Sequence, residues 1–276
     1  MTDLTTLIQI TDLHIKRPGA LAYGEVDSAA FLRRAIARLN TLSPRPDAVV
    51  ITGDLVDSGN LDEYLHLASL LDVLELPCHL LVGNHDARES LRQVFGEVAG
   101  GGDFIQYSVD IGALRLIALD SLDAGCSGGT LCAARLAWLA EALEDARERP
   151  VIVALHHPPF RTGIGHMDRA LLDERSSAAL AALIARYPNV ERLIAGHLHR
   201  EIHRRFAGTL ASTAGSVAHQ VCLDLRPDAP SAFTMEPPTY VVHRWSADGG
   251  LVSHLGYVDT YAGPFPFHDN RGVLLD

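Results

Sequence analysis

The chain has 276 residues, of which 47% are hydrophobic and 21% are charged, as is typical of a globular protein with a sizeable core. Its formal net charge of −11 disfavours a nucleic-acid polymer as a partner, because proteins that bind one usually present a basic face. No stretch approaches the roughly 18 apolar residues of a membrane span, and the first ten residues include no Lys or Arg. We therefore expect a cytoplasmic protein with no membrane anchor or secretory leader.

Apolar runs alternate with amphipathic segments over the first two-thirds of the chain. Strands are predicted at residues 7–10, 48–52, 80–82, 105–110, 114–119, 151–155 and 191–195, with 105–110 and 114–119 forming an antiparallel pair. Helices are predicted at residues 28–42, 62–74, 88–95, 134–147 and 175–187, the first with Ser28 as its N-cap. This alternation predicts an α/β fold in which helices cover sheets.

The pattern changes near residue 200, which divides the chain into two predicted parts. Residues 1–200 form a core that carries the polar motifs, and residues 201–276 complete the second sheet and add a cap or an oligomer contact. Strands in the second part are predicted at residues 201–206, 209–212, 240–246 and 251–258. The aromatic, proline-rich tail at 261–267 is expected to pack on its own core or on a partner subunit, which favours a homo-oligomer.

The four cysteines do not form a C-x-x-C pair, so neither a zinc knuckle nor a thioredoxin-like motif is indicated. Cys126 and Cys132 lie close together in a glycine-rich loop, where a local disulfide is an alternative to the free thiols that we favour. The sequence leaves their role open.

Five polar motifs each follow directly on a predicted strand. They are Thr11-Asp12-Leu13-His14, Gly53-Asp54-Leu55-Val56-Asp57, Gly83-Asn84-His85-Asp86, His156-His157-Pro158-Pro159 and Gly196-His197-Leu198-His199. Because ligands bind at the carboxyl ends of strands in α/β sheets, we expect these motifs to build one site. Each motif alone is compatible with an ordinary turn or strand cap, but the five together are specific.

The residue types suit two metal ions. Asp, Asn and His supply oxygen and imidazole donors for Fe, Mn, Zn or Co. Alternation along an extended segment would place Asp12 and His14 on one side, and His197 and His199 have the same spacing. The two carboxylate oxygens of Asp54 can bridge ions about 3.5–4 Å apart. Three of the motifs begin with a glycine, Gly53, Gly83 or Gly196, which is expected to allow a tight turn that brings the donor groups together.

These motifs resemble the calcineurin-like metallophosphoesterase family, whose pattern is Asp-x-His, Gly-Asp-x-x-Asp, Gly-Asn-His-Asp/Glu, a later His and Gly-His-x-His. Every element is present, and together they frame residues 8–199. Shorter segments at 23–27, 218–221 and 261–264, together with the His-His-Pro-Pro form, resemble the branch of bacterial glycerophosphodiesterases and class III cyclic-nucleotide phosphodiesterases. The resemblance implies a four-layer α/β/β/α sandwich with a β-rich C-terminal extension.

The resemblance also implies a role for each matching residue. The metal ligands would be Asp12, His14 and His199 for the first ion, Asn84, His156 and His197 for the second, and Asp54 for both. His85 would be catalytic with Asp54 and would lie near the substrate phosphate and the leaving group. His219 and Tyr23 would contact the substrate.

Three further residues would support the ligands. His157 is expected to lie outside the ligand set, because the family ligand precedes the proline by two positions, as His156 does. Asp57 and Asp86 would orient loops or ligand histidines.

The implied activity is hydrolysis of small phosphodiesters, foremost glycerophosphodiesters, by a metal-bound hydroxide. A 3′,5′-cyclic nucleotide is the alternative substrate, and the motifs do not separate the two. A phosphomonoesterase or protein phosphatase is a weaker interpretation, because protein phosphatases usually carry Glu where this chain has Asp86. A non-catalytic scaffold is weaker still, because all seven ligand positions are intact.

Overall fold

The computed structural model describes residues 4–96 and 102–275, so residues 1–3 of the N-terminal segment considered above lie outside the described residues. The strands are β1 (Thr5–Ile10), β2 (Ala48–Ile51), β3 (Cys78–Leu80), β4 (Tyr107–Ile111), β5 (Leu114–Ala118), β6 (Val151–Ala154), β7 (Val190–Ala195), β8 (Ile202–Phe206), β9 (Thr209–Thr213), β10 (Gln220–Val221), β11 (Phe233–Thr234), β12 (Thr239–Ser246) and β13 (Gly250–Tyr257). The helices are α1 (Ser28–Asn40), α2 (Leu61–Leu71), α3 (Arg88–Phe95), α4 (Ala133–Asp145) and α5 (Glu174–Ile184).

Two mixed sheets face each other. The strand order is β13-β12-β1-β2-β3 in the first sheet and β4-β5-β6-β7-β9-β8 in the second, and β10 and β11 form a separate ribbon. Helices α1 and α2 pack on the first sheet, and α4 and α5 pack on the second. Apolar side chains such as Leu7, Val50 and Ile152 fill the space between the sheets. The four-layer α/β/β/α sandwich is therefore confirmed.

Burial explains why the central strands are rich in apolar residues. Every residue of β1, β2 and β6 is buried, because a helix layer covers one face and the other sheet covers the opposite face. Helix α1 buries a stripe at helical spacing, which includes Leu32, Ile36 and Leu39. Its N-cap is Asp27, whose side chain accepts from Ala30 N, so the prediction of Ser28 as N-cap is wrong. Ser28 is the first helical residue instead.

Strand β3 lies two residues earlier than predicted. It pairs in parallel with β2, with Val49 opposite Cys78 and Ile51 opposite Leu80. The apolar residues at 81 and 82, which extended the prediction, follow the strand and are buried in the turn that leads to the site. Hydrophobicity alone could not place the end of β3, because residues 81 and 82, which follow the strand, are at least as deeply buried as the strand itself.

The strands after residue 200 join both sheets. Strands β8 and β9 extend the second sheet, as predicted. Strands β12 and β13 instead extend the first, where Val242 of β12 lies opposite Ile8 of β1 in an antiparallel pair. Residues 201–276 thus contribute strands to both sheets, and β12 supplies the neighbour of β1 on the side away from β2. The division at residue 200 stays a prediction.

The aromatic tail does not pack on its own core. Phe265 is 75% exposed and Phe267 is 80% exposed. All four cysteines are free, so the thiol interpretation of Cys126 and Cys132 is confirmed. Within residues 4–96 and 102–275, no helix combines the length and the hydrophobicity that a membrane span requires.

Candidate metal centre

The five polar motifs converge at one end of the sandwich. Three of them follow β1, β2 and β3 of the first sheet, and two follow β6 and β7 of the second. Residues from four of the five motifs and from neighbouring segments line a cleft of about 530 Å³, and His156 of the remaining motif lies behind it against Asp54. Both sheets therefore contribute to one site.

One group of donor atoms lies around His14. Its Nε2 is 3.2 Å from Nε2 of His199 and 3.7 Å from Oδ2 of Asp54. The Nε2 atom of His199 is also 3.4 Å from Oδ1 of Asp12. All four residues are buried, and they are the three predicted ligands of the first ion together with the predicted bridge.

A second group lies around His156. Its Nε2 is 3.2 Å from Oδ1 of Asn84 and 3.3 Å from Oδ2 of Asp54. The ring of His197 has its centroid 5.1 Å from that of His156, and its Nε2 is buried without a hydrogen-bond partner among the described residues. Asp54 thus touches both groups, which is the arrangement that a bridging carboxylate requires.

The donor atoms of the two groups fit cations. Nδ1 of His156 donates to Thr52 O at 2.8 Å, and Nδ1 of His199 donates to His219 O at 3.0 Å. In a neutral ring whose Nδ1 carries the proton, Nε2 has a lone pair and accepts. The Nε2 atoms of His156 and His199 each lie about one hydrogen-bond length from another acceptor. Such contacts need a proton or a metal ion between the two acceptors, so the chemistry of the donor set fits metal binding.

Burial favours the neutral form of the imidazole rings of two predicted ligands, His197 and His199. The neutral imidazole is the form that binds a metal ion. Burial and the neighbouring His156 lower the pKa of His197 to about 3. Burial and the neighbouring His14 lower the pKa of His199 to about 3. His156 behaves differently: burial lowers its pKa, but the charge and hydrogen bond of Asp54, the charge of Asp12 and the hydrogen bond to Thr52 O together raise it to about 9.

Most of the ligand-type residues have an unusual backbone conformation. Positive φ values occur at Asp12 (54°), His14 (46°), Asp54 (48°), His197 (71°) and His199 (47°). The extended alternation that we invoked for the Asp12 and His197 segments is therefore wrong, although the paired side chains still reach one place. Left-handed backbone at non-glycine residues costs free energy and is concentrated at functional sites.

The glycines allow both tight turns and close approach. Gly53 has a positive φ of 96°, whereas Gly83 and Gly196 do not have positive φ. Turns nevertheless begin at Gly83 and Gly196, because Asp86 N donates to Gly83 O at 3.2 Å and Leu198 N donates to Gly196 O at 2.8 Å. A Cβ on Gly83 would overlap Oδ1 of Asp54 and Nε2 of His156, so the missing side chain leaves room for these groups.

Two carboxylates outside the ligand set hold the site in place. Asp57 accepts from Lys16 Nζ at 2.7 Å and lies 3.3 Å from Nδ1 of His14. Asp86 accepts from the backbone N–H groups of Leu55 at 3.1 Å and Gly83 at 2.8 Å. Asp57 thus orients a ligand-type histidine, and Asp86 joins the two loops that carry Asp54 and Asn84.

His157 lies beside the second group without facing Asp54. Its Nδ1 is 2.8 Å from Ser121 Oγ, and its Nε2 is buried without a partner among the described residues. The ring centroid is 4.8 Å from that of His156 and 5.0 Å from that of His197. This placement supports the choice of His156 over His157 as a ligand, since only His156 contacts Asp54 and Asn84.

The expected catalytic and substrate-contacting residues also line the cleft. Nδ1 of His85 donates to Asp57 O at 2.7 Å, which leaves Nε2 as the atom available for a substrate. Tyr23 is 53% exposed, and its ring centroid lies 5.2 Å from that of His219. Phe233 completes this aromatic group at 5.4 Å from both rings.

Sequence reasoning missed several residues that shape the site. Ser28 Oγ donates to His14 O at 2.7 Å, and Ser216 Oγ donates to Asp12 O at 2.8 Å, so both fix the unusual backbone of the first motif. Phe233 of β11 and Arg169 of the segment between β6 and α5 also line the cleft. No local pattern marks any of them, because their roles depend on contacts between distant segments.

Comparisons with known proteins agree with this geometry. A family model described as calcineurin-like phosphoesterase matches residues 5–201. The chain is 37% identical over 272 residues to a probable glycerophosphodiester phosphodiesterase GpdQ of Arcobacter nitrofigilis, which covers 98% of this chain and 99% of the relative. It is 33% identical over 256 residues to the 3′,5′-cyclic adenosine monophosphate phosphodiesterase CpdA of Pseudomonas aeruginosa, with 92% and 90% covered.

A solved structure shares the fold. A dimetal phosphatase from Danio rerio matches with a TM-score of 0.64 at 16% identity, covering 94% of this chain and all of the other (100%). The family model spans most of the chain, and the GpdQ relative is similar along nearly its whole length. The chain belongs to the calcineurin-like phosphoesterase family.

Proposed function

We propose that this protein is a metal-dependent phosphodiesterase that hydrolyses small phosphodiesters, with glycerophosphodiesters as the preferred class. The observation that carries the proposal is the convergence of two donor groups on Asp54 inside one cleft. The full-length similarity to a relative named as a glycerophosphodiester phosphodiesterase supports the substrate class.

The proposed cofactors are two ions of Fe, Mn, Zn or Co. The first would be held by Asp12, His14 and His199, the second by Asn84, His156 and His197, and both by Asp54. When bound, such ions supply a nucleophile by lowering the pKa of water and offset the charge that builds up on the phosphate. Buried histidines on both sides of a shared carboxylate are the observation that supports this assignment.

The chain's own residues would orient the substrate and assist the leaving group. The hydrogen bond from His85 Nδ1 to Asp57 O fixes the ring, so a protonated His85 can donate from Nε2 to the departing alkoxide oxygen. The backbone N–H of His85 also donates to Oδ1 of Asp54 at 2.9 Å. This bond holds His85, the proposed general acid, next to the carboxylate that would bridge the two ions. Tyr23 and His219 would contact the organic part of the substrate.

A 3′,5′-cyclic nucleotide is the second candidate substrate. The similarity to a relative named as a cyclic adenosine monophosphate phosphodiesterase favours it. The exposed faces of Tyr23 and Phe233 offer a surface on which a planar base can stack.

A panel of four substrates tests the proposal. Protein reconstituted with Mn²⁺ is assayed on a glycerophosphodiester, 3′,5′-cAMP, bis(p-nitrophenyl) phosphate and p-nitrophenyl phosphate, and its metal content is measured. Fast diester turnover with weak monoester turnover is expected, with the glycerophosphodiester the better natural substrate. Two ions per chain without turnover of any diester would overturn the proposal.

We further propose that the chain forms a homo-oligomer, a dimer or higher, in the cytoplasm. Apolar residues of β13 and of the following tail are exposed, among them Tyr257, Phe265 and Phe267, which supports burial against a second copy. Free cysteines support a reducing compartment. Light scattering should give a dimer or larger species that Phe267→Ser weakens, whereas a monomer at all concentrations would contradict the oligomer.

A further inference from the structure

A single buried carboxylate connects the loops that follow β2 and β3. Oδ2 of Asp86 accepts from Leu55 N at 3.1 Å and from Gly83 N at 2.8 Å, and its Oδ1 accepts from Val56 N at 3.3 Å. The first and third of these donors belong to the loop after β2, and the second belongs to the loop after β3. The spacing of the two loops therefore depends on where this carboxylate is held.

Tyr64 is the one side chain within residues 4–96 and 102–275 that donates a hydrogen bond to Asp86. Its hydroxyl donates to Oδ1 of Asp86 at 2.9 Å and accepts from Ala87 N at 2.9 Å. A hydrogen bond from a hydroxyl to a carboxylate is charge-assisted and is stronger than one between two neutral groups. The hydroxyl thus holds both the carboxylate and the backbone that directly follows it.

Helix α2 fixes the position of this hydroxyl. Tyr64 lies in the first turn of α2, and its ring is fully buried in the apolar core that the helix shares with the first sheet. The preceding residue, Glu63, accepts from Ser58 N at 2.9 Å, directly after the Asp54 motif. One helical turn therefore contacts the ends of both loops, although it supplies none of the predicted ligands.

We propose that Tyr64 is a positioning residue of the metal centre, which acts through Asp86 to hold Asp54 and Asn84 at the separation that the second ion requires. The inference rests on the proposed two-ion site and deepens it. The second ion should depend on this contact more than the first, because both Asp54 and Asn84 lie on the connected loops, whereas the first ion shares only Asp54. Without the hydroxyl, only backbone N–H groups would hold the carboxylate.

The test titrates Mn²⁺ into the metal-free wild type and into metal-free Tyr64→Phe, and calorimetry gives a Kd for each ion. Asn84→Ala identifies the second ion, because it removes a predicted ligand from that ion alone. Phenylalanine keeps the buried ring and removes only the hydroxyl. The Kd of the second ion should rise about 10–100-fold, the range for residues that orient metal ligands, and the Kd of the first ion should change much less. Equal weakening of both ions would overturn the proposal.

Tyr107→Phe is the matched control. Tyr107 is also buried, and its hydroxyl donates to Leu80 O at 2.9 Å without a bond to Asp86. This variant should keep both Kd values of the wild type. If it weakened the second ion as much as Tyr64→Phe does, the loss of any buried hydroxyl would explain the effect, and the specific role of Tyr64 would be rejected.

A double variant tests whether Tyr64 acts through Asp86. Asp86→Asn should itself weaken the second ion, because it replaces one of the accepting oxygens. Tyr64→Phe should then raise the Kd by a smaller factor in the Asp86→Asn background than in the wild type, since residues that act as a unit are not additive. The same factor in both backgrounds would show that Tyr64 acts independently of Asp86, against the proposal.

These binding measurements need no substrate, so they separate the role of Tyr64 from the proposed activity. Selective weakening of the second ion in Tyr64→Phe would support the role even if no diester were hydrolysed. Wild-type Kd values for both ions in Tyr64→Phe would reject it, even if the wild type hydrolysed glycerophosphodiesters rapidly.

Discussion

At the residue scale, the site combines strained backbone with hydrogen bonds from residues outside the motifs. Asp12, His14 and Asp54 all have left-handed φ values, and Ser28 and Ser216 hydrogen-bond to carbonyl groups of that region. The fold therefore imposes these conformations, since local preference opposes them. The backbone conformation of the donor set therefore depends on tertiary contacts such as those of Ser28 and Ser216.

His85→Ala should slow the reaction without removing the metals. His85 is tied to the ligand loops by its backbone N–H, which the substitution keeps. We expect kcat to fall about 10²-fold or more on a glycerophosphodiester, because general-acid assistance is lost. The loss should be much smaller on bis(p-nitrophenyl) phosphate, whose leaving group needs little protonation. Equal losses on both substrates, or loss of metal, would contradict the role of His85.

Gly83→Ala should disable the metal centre while the fold survives. The added methyl group would overlap Asp54, which both donor groups share, and His156 of the second group. We expect less than half of the wild-type metal content with an unchanged far-ultraviolet circular dichroism spectrum. Gly19→Ala is a control, because a Cβ there meets no atom within 4 Å, although its φ of 79° adds local strain. Wild-type metal content in Gly83→Ala would show that the loops can move apart.

At the element scale, polar side chains connect the two sheets. Gln9 of β1 donates to Ala195 O of β7 at 2.9 Å and to Thr52 Oγ1 at 3.1 Å. Its Oε1 lies 3.1 Å from Nε2 of His243 on β12, which in turn contacts Ser253 of β13. Apolar packing holds the sheets together, and these hydrogen bonds fix the position of β1 relative to β7. The motifs that follow β1 and β7 carry predicted ligands from the two sheets.

His243 should make the stability depend on pH. Burial and the neighbouring Arg192 lower its pKa to about 3 in the folded protein, against about 6.5 in the unfolded chain. The unfolded state therefore binds more protons between these values, and stability falls as the pH drops from about 6.5 towards 3. At pH 5 this one group should cost about 2 kcal/mol relative to pH 8.

Chemical denaturation of the metal-free protein measures this effect. His243→Gln should lose about 2 kcal/mol less than the wild type between pH 8 and pH 5, because a neutral side chain replaces the titrating ring. His254→Gln, on the exposed face of β13, should keep the wild-type dependence. Identical pH profiles for His243→Gln and the wild type would show that the buried ring does not control acid stability.

At the scale of the whole molecule, the site lies where both sheets end. Removing its ions would leave acceptor groups from the two halves facing each other without a cation, as with His156, Asn84 and Asp54. Metal binding should therefore stabilise the whole sandwich and not only the loops, because ligands that bind the native state alone raise its stability.

Metal removal should lower the melting temperature. At metal concentrations about 100-fold above Kd, each ion contributes about 2.7 kcal/mol, which corresponds to roughly 5–10 °C in a protein of this size. Calorimetry with and without a chelator measures the shift. Asp54→Ala removes the shared ligand and should show little or no chelator effect. A chelator shift of wild-type size in Asp54→Ala would exclude Asp54 as the bridge.

The sequence by itself determined the layers and the location of the site. Helix 88–95 was predicted with its observed bounds, and the 105–110 and 114–119 pair has the expected antiparallel arrangement. Segments with a strong hydrophobic period, or that are fully apolar, are compatible with few alternative secondary structures. Motifs that directly follow strands lie at the carboxyl ends of those strands, so the five motifs can form one site only there. Local sequence therefore sufficed for the α/β class and for the convergence of the motifs, whereas the resemblance to a known family supplied the four layers and the candidate ligands.

Only the tertiary structure decided how those residues come together. The strands after residue 200 divide between two sheets, because β1 needs an antiparallel neighbour far along the chain. The left-handed backbone of Asp12 and His197, the support from Ser216 and the entry of Arg169 into the cleft all depend on contacts between distant segments. Sequence patterns report local preference and burial, whereas these features arise where the packed sheets override local preference.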